Sequence, residues 1–193
     1  MIRSVVLLVL AALALGACAG GEKIESIYVI SAPSAPSAGG ATSAQVLVPE
    51  PRAVAALSSN RVAVKPTDLT LAYYPSVALQ DTVPKVVQRV LLETFQNSGK
   101  IHAVGLPGES LLINYQVVTQ VRAFQAETFA GDQARVELFV KLLNDTNGRV
   151  VANRLFEASV PLKGDTAEDA AVGLNRAAQL VAEDVLAWML SRI

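Results

Sequence analysis

Few residues in this 193-residue sequence could carry covalent or acid–base chemistry. It contains one cysteine, Cys18, and one histidine, His102, which excludes a disulfide framework and any zinc site built from several Cys and His ligands. His102 follows a predicted helix end at Gly99, where a histidine commonly serves surface electrostatics rather than a nucleophilic triad. The acidic residues fall at turns and at a helix start, and the glycines form no phosphate-binding loop. We therefore expect no enzyme, no catalytic residue, no metal site and no cofactor.

Cys18 lies at the end of an N-terminal segment that is typical of exported proteins. Arg3 precedes an apolar run from Val5 to Leu15, which is too short to span a bilayer and has the proportions of a signal peptide. The run ends in Leu15-Gly16-Ala17-Cys18, which is similar to the bacterial lipobox. In such signals the thiol is diacylated, the chain is cut before the cysteine, and the new amino terminus is acylated, with palmitate among the acyl groups. Three acyl chains would hold the protein on a membrane, since one chain alone binds only marginally.

An ordinary signal-peptidase site remains an alternative at the same place. Ala17-Cys18-Ala19 fits an A-x-A pattern, and cleavage there would release a soluble periplasmic protein. For the lipidated form, the residue after the cysteine indicates the destination. It is Ala19 and not Asp, and enterobacterial sorting retains Asp-bearing lipoproteins at the inner membrane. By that similarity we expect a lipid-anchored protein at the periplasmic face of the outer membrane.

Charge and hydropathy set further limits. The sequence has sixteen Lys and Arg residues and seventeen Asp and Glu residues, so there is no excess of positive charge and nucleic acid is not a predicted partner. The mean hydropathy is +0.40, and much of it comes from the N-terminal segment. We divide the chain into a signal peptide (1–17), a lipidated N-terminus with a short strand and a Pro/Ser/Ala/Gly-rich linker (18–56), and one domain (57–193).

Hydrophobic spacing predicts the elements of that domain. A 3.6-residue period indicates helices from Asp81 to about Asn97 and from about Thr166 to Arg192. Alternation predicts strands at 61–65, 111–124, 134–142 and 149–162, with Asn147-Gly148 as a hairpin turn. The predicted fold class is α+β, an antiparallel β-sheet of about four strands with two helices packed on one face.

An uncharged apolar stretch, Leu69–Leu79, contains two adjacent tyrosines, Tyr73 and Tyr74. Neighbouring side chains of an extended segment point to opposite sides, so we expect one tyrosine to be buried and the other exposed. Pro75 argues against an uninterrupted central strand there. Two interpretations stay open: a continuation of an edge strand, or a docking loop in which the exposed tyrosine binds a partner.

The sequence resembles the ABC-type transport auxiliary lipoproteins, particularly their alphaproteobacterial branch, over nearly all of the mature chain. The residues that carry the resemblance are Ile27-Tyr-Val-Ile30, Val46-Leu-Val-Pro-Glu-Pro51, Asn60-Arg-Val-Ala-Val-Lys-Pro66, Asp81-Thr-Val-Pro-Lys-Val-Val-Gln88, Glu93-Thr-Phe-Gln-Asn-Ser-Gly99, Tyr115-Gln-Val-Val-Thr-Gln-Val-Arg-Ala-Phe124 and Asn144-Asp-Thr-Asn-Gly-Arg-Val-Val151. The sequence departs from related chains just before Asp81, where many carry Trp and this one has Leu79-Gln80.

The resemblance implies an outer-membrane lipoprotein that works with an ABC transporter of the mammalian-cell-entry type. The implied partner is the membrane-anchored substrate-binding protein of that system, the implied cargo is phospholipid or another apolar molecule, and a homo-oligomer is allowed. Only Cys18 transfers residue by residue, as the lipid attachment site. The alternative function is an envelope-assembly lipoprotein that braces an outer-membrane machine for lipopolysaccharide delivery or secretion. A periplasmic hydrolase is disfavoured because the sequence shows no catalytic constellation.

Overall fold

Two helices cover a β-sheet in the computed structural model, which describes residues 23–110, 112–129 and 131–193. Helix α1 (Val83–Asn97) and helix α2 (Ala167–Leu190) begin and end within a few residues of the predicted bounds. The N-cap of α1 is Thr82 rather than Asp81, whose carboxylate instead accepts the Thr82 N–H. At α2 the Thr166 hydroxyl accepts the Asp169 N–H, which satisfies one of the free amides of the first turn.

The expectation of about four strands is wrong, because the sheet of the described residues has eight. They are β1 (Ser26–Tyr28), β2 (Thr42–Leu47), β3 (Arg61–Thr67), β4 (Thr70–Leu79), β5 (Ile101–Gly105), β6 (Tyr115–Glu127), β7 (Gln133–Asn144) and β8 (Arg149–Pro161). β1, β2 and β5 have six residues or fewer, so alternation within them is too brief to indicate a strand. The fold class is α+β, as predicted, but the sheet is mixed and not purely antiparallel, because β1 pairs with β4, β2 with β5 and β6, and β3 with β6 in parallel.

The antiparallel meander predicted for the second half of the chain is confirmed. β6 pairs with β7 from Tyr115↔Asn144 to Glu127↔Gln133, and β7 pairs with β8 over its whole length. Gly148 takes a φ of 68° in the turn between β7 and β8, a conformation that glycine adopts without strain. Register shifts at Arg122 in β6 and at Val151 in β8 interrupt the alternation. Each shift marks a bulge that leaves one residue unpaired.

The other edge of β6 is shared by elements from the first half of the chain. β2 pairs with its beginning and β3 with its end, both in parallel, and Arg52 forms an isolated bridge with Gln120 between them. The sheet therefore branches at β6, with β5 beyond β2 and with β4 and then β1 beyond β3. β1 and β2 both precede residue 57, so the span 18–56, where one short strand and a linker were expected, contributes two strands to the sheet.

The core lies between the helices and one face of the sheet. Its members include the inward residues of β7, namely Ala134, Val136, Leu138, Val140 and Leu142, together with the apolar stripes of both helices. Phe156 of β8 meets Trp188 of α2 edge to face, with ring centroids 5.4 Å apart. Among the described residues, no helix packs on the opposite face of β6, β7 and β8. Within the described ranges, no helix is long and apolar enough to cross a membrane.

Candidate partner-binding surfaces

The lipid attachment site predicted at Cys18 lies outside the described residues, so the structure places only the domain that would follow it. His102 is exposed on β5, the short strand after α1. Within residues 23–110, 112–129 and 131–193, no three His, Cys, Asp or Glu side chains come together in a way that could hold a metal ion.

Tyr73 is half-buried and fastens a turn to the sheet. It pairs with Ala63 of β3, and its hydroxyl donates a hydrogen bond of 2.9 Å to the carbonyl oxygen of Ala56 in a short 3₁₀ turn. The guanidinium of Arg61 lies 4.7 Å from the centre of its ring, a cation–π contact. These contacts give Tyr73 a structural role.

Tyr74 is half-buried as well, so the expected division into one buried and one exposed tyrosine is not what the structure shows. Burial raises the pKa of the Tyr74 hydroxyl, and the carboxylates of Asp165, Asp132 and Asp169 raise it further. These carboxylates belong to the loop before β7 and to the start of α2, which places Tyr74 close to an acidic region of the surface. Pro75 and the positive φ of Ser76 (57°) lie where the β3–β4 register shifts, in agreement with the predicted interruption.

The open face of the meander carries a carboxylate cluster, defined as Glu127, Arg135, Glu137 and Glu157. The Arg135 guanidinium lies 3.7 Å from Glu127, 2.6 Å from Glu137 and 3.1 Å from Glu157. Partial burial acts to lower the pKa of Arg135, but the three carboxylates outweigh it and raise that pKa. Glu127 is only 2% exposed, and its oxygens also accept hydrogen bonds from Gln125 and Gln133. Three carboxylates share one cation, so this region is acidic.

A basic patch lies next to this cluster on the same face and consists of Arg52, Arg122 and Lys141 around the ring of Phe139. The Arg122 guanidinium is 4.7 Å and the Lys141 ammonium 5.8 Å from the ring centre. Arg52, Phe139 and Lys141 line a shallow concavity together with Val118, Thr119 and Gln120. All three cations are exposed, and among the described residues none of them has an ion-pair partner. Unpaired cations around an aromatic ring can bind an acidic partner.

Sequence reasoning identified only part of this patch. Arg122 and Gln120 belong to the strand predicted at 111–124, and both are exposed on the open face of β6. Arg52 comes from an irregular segment and reaches the patch only through its bridge with Gln120, 68 positions away. A contact between such distant residues has no signature in local spacing.

The apolar interior offers little room for a ligand. Between the helices and the sheet there is a cavity of about 10 Å³, lined by Val87, Val90, Leu91, Val136, Leu138, Ala178 and Ala182. That volume corresponds to about one water molecule, far below the size of an acyl chain. In this conformation the space that these side chains line is packed core.

Comparison with known proteins decides the family. The sequence model of the ABC-type transport auxiliary lipoprotein component matches residues 28–186, nearly the whole described domain. The protein belongs to this family. The match confirms the predicted resemblance, and it indicates a lipoprotein of the cell envelope that assists transport.

The relatives agree with this assignment. An uncharacterized protein of Bradyrhizobium diazoefficiens is 29% identical over 146 residues, which are 76% of this chain and 39% of that protein. The chain thus spans less than half the length of this relative, whose origin is consistent with the predicted alphaproteobacterial branch.

Two solved structures share the fold. A DUF330 protein of Xanthomonas campestris is 27% identical, with a TM-score of 0.80 over 86% of this chain and 95% of the other. The PelC dodecamer of Paraburkholderia phytofirmans is 15% identical, with a TM-score of 0.51 over 78% of this chain and 92% of its own, which shows the fold alone.

Proposed function

We propose that this family member is a lipid-anchored accessory of an ABC transport system of the mammalian-cell-entry type. In this proposal Cys18 carries the acyl chains and the domain stands on the periplasmic face of the outer membrane. The family match over residues 28–186 is the observation that carries the proposal. The lipobox-like sequence at Leu15–Cys18 supports the anchor, and Ala19 supports the outer-membrane destination.

The role that the domain supports best is docking. Its core has no space for an acyl chain, whereas the open face of its sheet presents exposed cations. The proposed partner is the substrate-binding protein that extends from the inner membrane, and the proposed cargo is phospholipid or another apolar molecule. The auxiliary domain would hold that partner at the outer membrane through the basic patch while the cargo passes along the partner.

A charge-reversal experiment tests this docking role. The three patch residues Arg52, Arg122 and Lys141 are replaced together by Glu in the full-length chain. The substrate-binding protein is then quantified after affinity purification from solubilised native membranes. Exposed cations accelerate association and make it sensitive to salt, so the variant should recover at least tenfold less partner. Wild-type recovery should fall as the salt concentration rises.

A matched control carries the same change in charge elsewhere. Lys100, Arg176 and Arg192 are also exposed and comprise one lysine and two arginines. Their replacement by Glu should leave recovery of the substrate-binding protein unchanged. Equal losses in the two triple variants would show a general charge effect and refute docking at the basic patch. Recovery of lipopolysaccharide-delivery or secretion components in place of the transporter would favour the assembly function instead.

A further inference from the structure

The outer edge of β8 is a long strand edge that no described residue pairs with. β8 has 13 residues and hydrogen-bonds to β7 along one side only. The strands at the other two ends of the sheet, β1 and β5, have three and five residues. Most of β8 is exposed, and Leu155 at its middle is 42% exposed. Free N–H and C=O groups along such an edge can pair with another strand.

Two features confine the regular part of this edge. The bulge at Val151 interrupts the ladder near the beginning of β8, and Pro161, which has no N–H, ends it. Between them Ala152–Val160 form an uninterrupted strand that contains Leu155. A strand of this length spans about 30 Å, enough for a continuous ladder with one partner strand.

We propose that the partner strand is β8 of a second copy of this chain, antiparallel to the first, with the two-fold axis at Leu155. In this register Leu155 faces Leu155, Asn153 faces Glu157, and Arg154 faces Phe156 of the second copy. The Arg154 guanidinium already lies 5.0 Å from the ring of its own Phe156, so it would lie between two aromatic rings. No like charges oppose one another in this arrangement.

Neighbouring two-fold registers are less favourable. An axis at Arg154 would set arginine against arginine, and an axis at Glu157 would set glutamate against glutamate. An axis at Phe156 would place Leu155 opposite Glu157, and it would centre the interface on a ring that is already buried against Trp188. Cross-strand pairs with like charges or mismatched polarity destabilise a sheet. Leu155 is therefore the preferred centre.

The charges on the open face extend this complementarity beyond the edge. Lys141 is the cross-strand neighbour of Asn153, and Glu137 is the neighbour of Glu157. With the axis at Leu155, Asn153 of one copy lies opposite Glu157 of the other. The row across the two copies then runs from Lys141 and Asn153 of the first to Glu157 and Glu137 of the second. The basic side of each copy would then meet the acidic side of its mate on both sides of the axis.

Disulfide cross-linking in membranes tests both the partner and the register. Directly opposed residues of an antiparallel pair have Cα atoms about 4.5–5.5 Å apart, which suits a disulfide. Full-length Leu155→Cys should therefore form covalent dimers under mild oxidation. Asn153→Cys alone should not, but the double variant Asn153→Cys/Glu157→Cys should. The wild-type chain, which retains Cys18, gives the background.

A second measurement separates loss of pairing from loss of folding. Leu155→Lys places a charge on the axis, whereas Val151→Lys places it at the bulge outside the regular edge; both residues are exposed. Light scattering after size-exclusion chromatography should show dimer association at least tenfold weaker for Leu155→Lys and unchanged for Val151→Lys, with equal circular dichroism. The proposal would be overturned if the wild-type chain is a monomer and the Leu155→Cys variant forms no covalent dimer. Equal cross-linking at Asn153 and Leu155, or cross-linking of Leu155→Cys to another protein or to Cys18, would also overturn it.

Discussion

Gln80 provides a quantitative test of how the N-terminal segment is attached to the domain. Its side-chain carbonyl accepts the Ile30 N–H at 3.0 Å, and its amide donates to the Ile30 carbonyl at 3.1 Å. Arg89 also donates to that carbonyl, at 2.7 Å. Ile30 is fully buried, so its backbone groups have no access to water once these partners are lost. Gln80 and Arg89 thus help to hold the segment that would connect the domain to a membrane anchor.

Replacing Gln80 by Ala removes both bonds, but the Ile30 carbonyl keeps Arg89. The unpartnered N–H costs about 1–3 kcal/mol and a lost hydrogen bond about 1 kcal/mol. Because the Ile30 carbonyl keeps Arg89, we take the lower end of their sum, about 2 kcal/mol, for detachment of this segment. Since about 1.4 kcal/mol is a factor of ten, amide hydrogen exchange at Ile30 and neighbouring β1 should accelerate about 30-fold. Exchange in the middle of α2 should change less. Hydrogen exchange followed by mass spectrometry measures both regions.

Gln179 supplies the matched control, because its amide donates to the carbonyl of Ser31 in the same segment at an exposed position. Water replaces such a partner readily, so Gln179→Ala should change exchange by less than about threefold. If Gln80→Ala leaves the Ile30 amide as protected as in the wild type, the assigned role of Gln80 is refuted.

Four further outcomes are expected. Gly173→Val should lower stability by about 1–3 kcal/mol in urea unfolding, because a Cβ there would lie 2.5 Å from a methyl group of Leu162. Asp165→Asn should lower the pKa of Tyr74, which is measured from the phenolate absorbance as pH rises. In the wild type, the free energy of unfolding should fall as pH rises through the raised pKa of Tyr74, because the unfolded chain releases this proton at a lower pH. Tyr73→Ser should lower the melting temperature, because it removes the hydrogen bond to the 3₁₀ turn. If Tyr73→Ser and Tyr74→Ser both leave copurification of the partner intact, neither tyrosine docks a partner. Cys18→Ala should abolish acyl labelling and lipoprotein-type processing, and a wild-type protein that is freely soluble with Gly20 at its mature N-terminus would contradict the anchor.

The parts of the fold that were predicted are those whose signal is local. Helix α1 repeats apolar residues at three- and four-residue intervals, and β6 to β8 are twelve or thirteen residues long, with alternation over much of their length. Of the strands that alternation did not predict, β2 and β5 pair with distant partners. β2 becomes part of the sheet by parallel pairing with β5 and β6, more than 50 positions further along the chain, which no short window of sequence can indicate.

The candidate surfaces show the same division. The sequence predicted that one of the adjacent Tyr73 and Tyr74 is exposed. Both are half-buried, because Tyr73 contacts the 3₁₀ turn and Tyr74 lies near the acidic start of α2. The basic patch arises only when the bridge at Gln120 brings Arg52 beside Arg122 and Lys141. Tertiary pairing, not residue type alone, produced the surface that now carries the docking proposal.

The most direct test of the central proposal is the identity of the proteins that accompany the acylated wild-type chain. The chain is tagged at its C-terminus, expressed at its native level, purified from separated inner and outer membranes, and examined by mass spectrometry. We expect recovery from the outer membrane with the permease, the ATPase and the mammalian-cell-entry substrate-binding protein of one transporter. Recovery without any component of such a transporter, or only with an outer-membrane assembly machine, would contradict the proposed function.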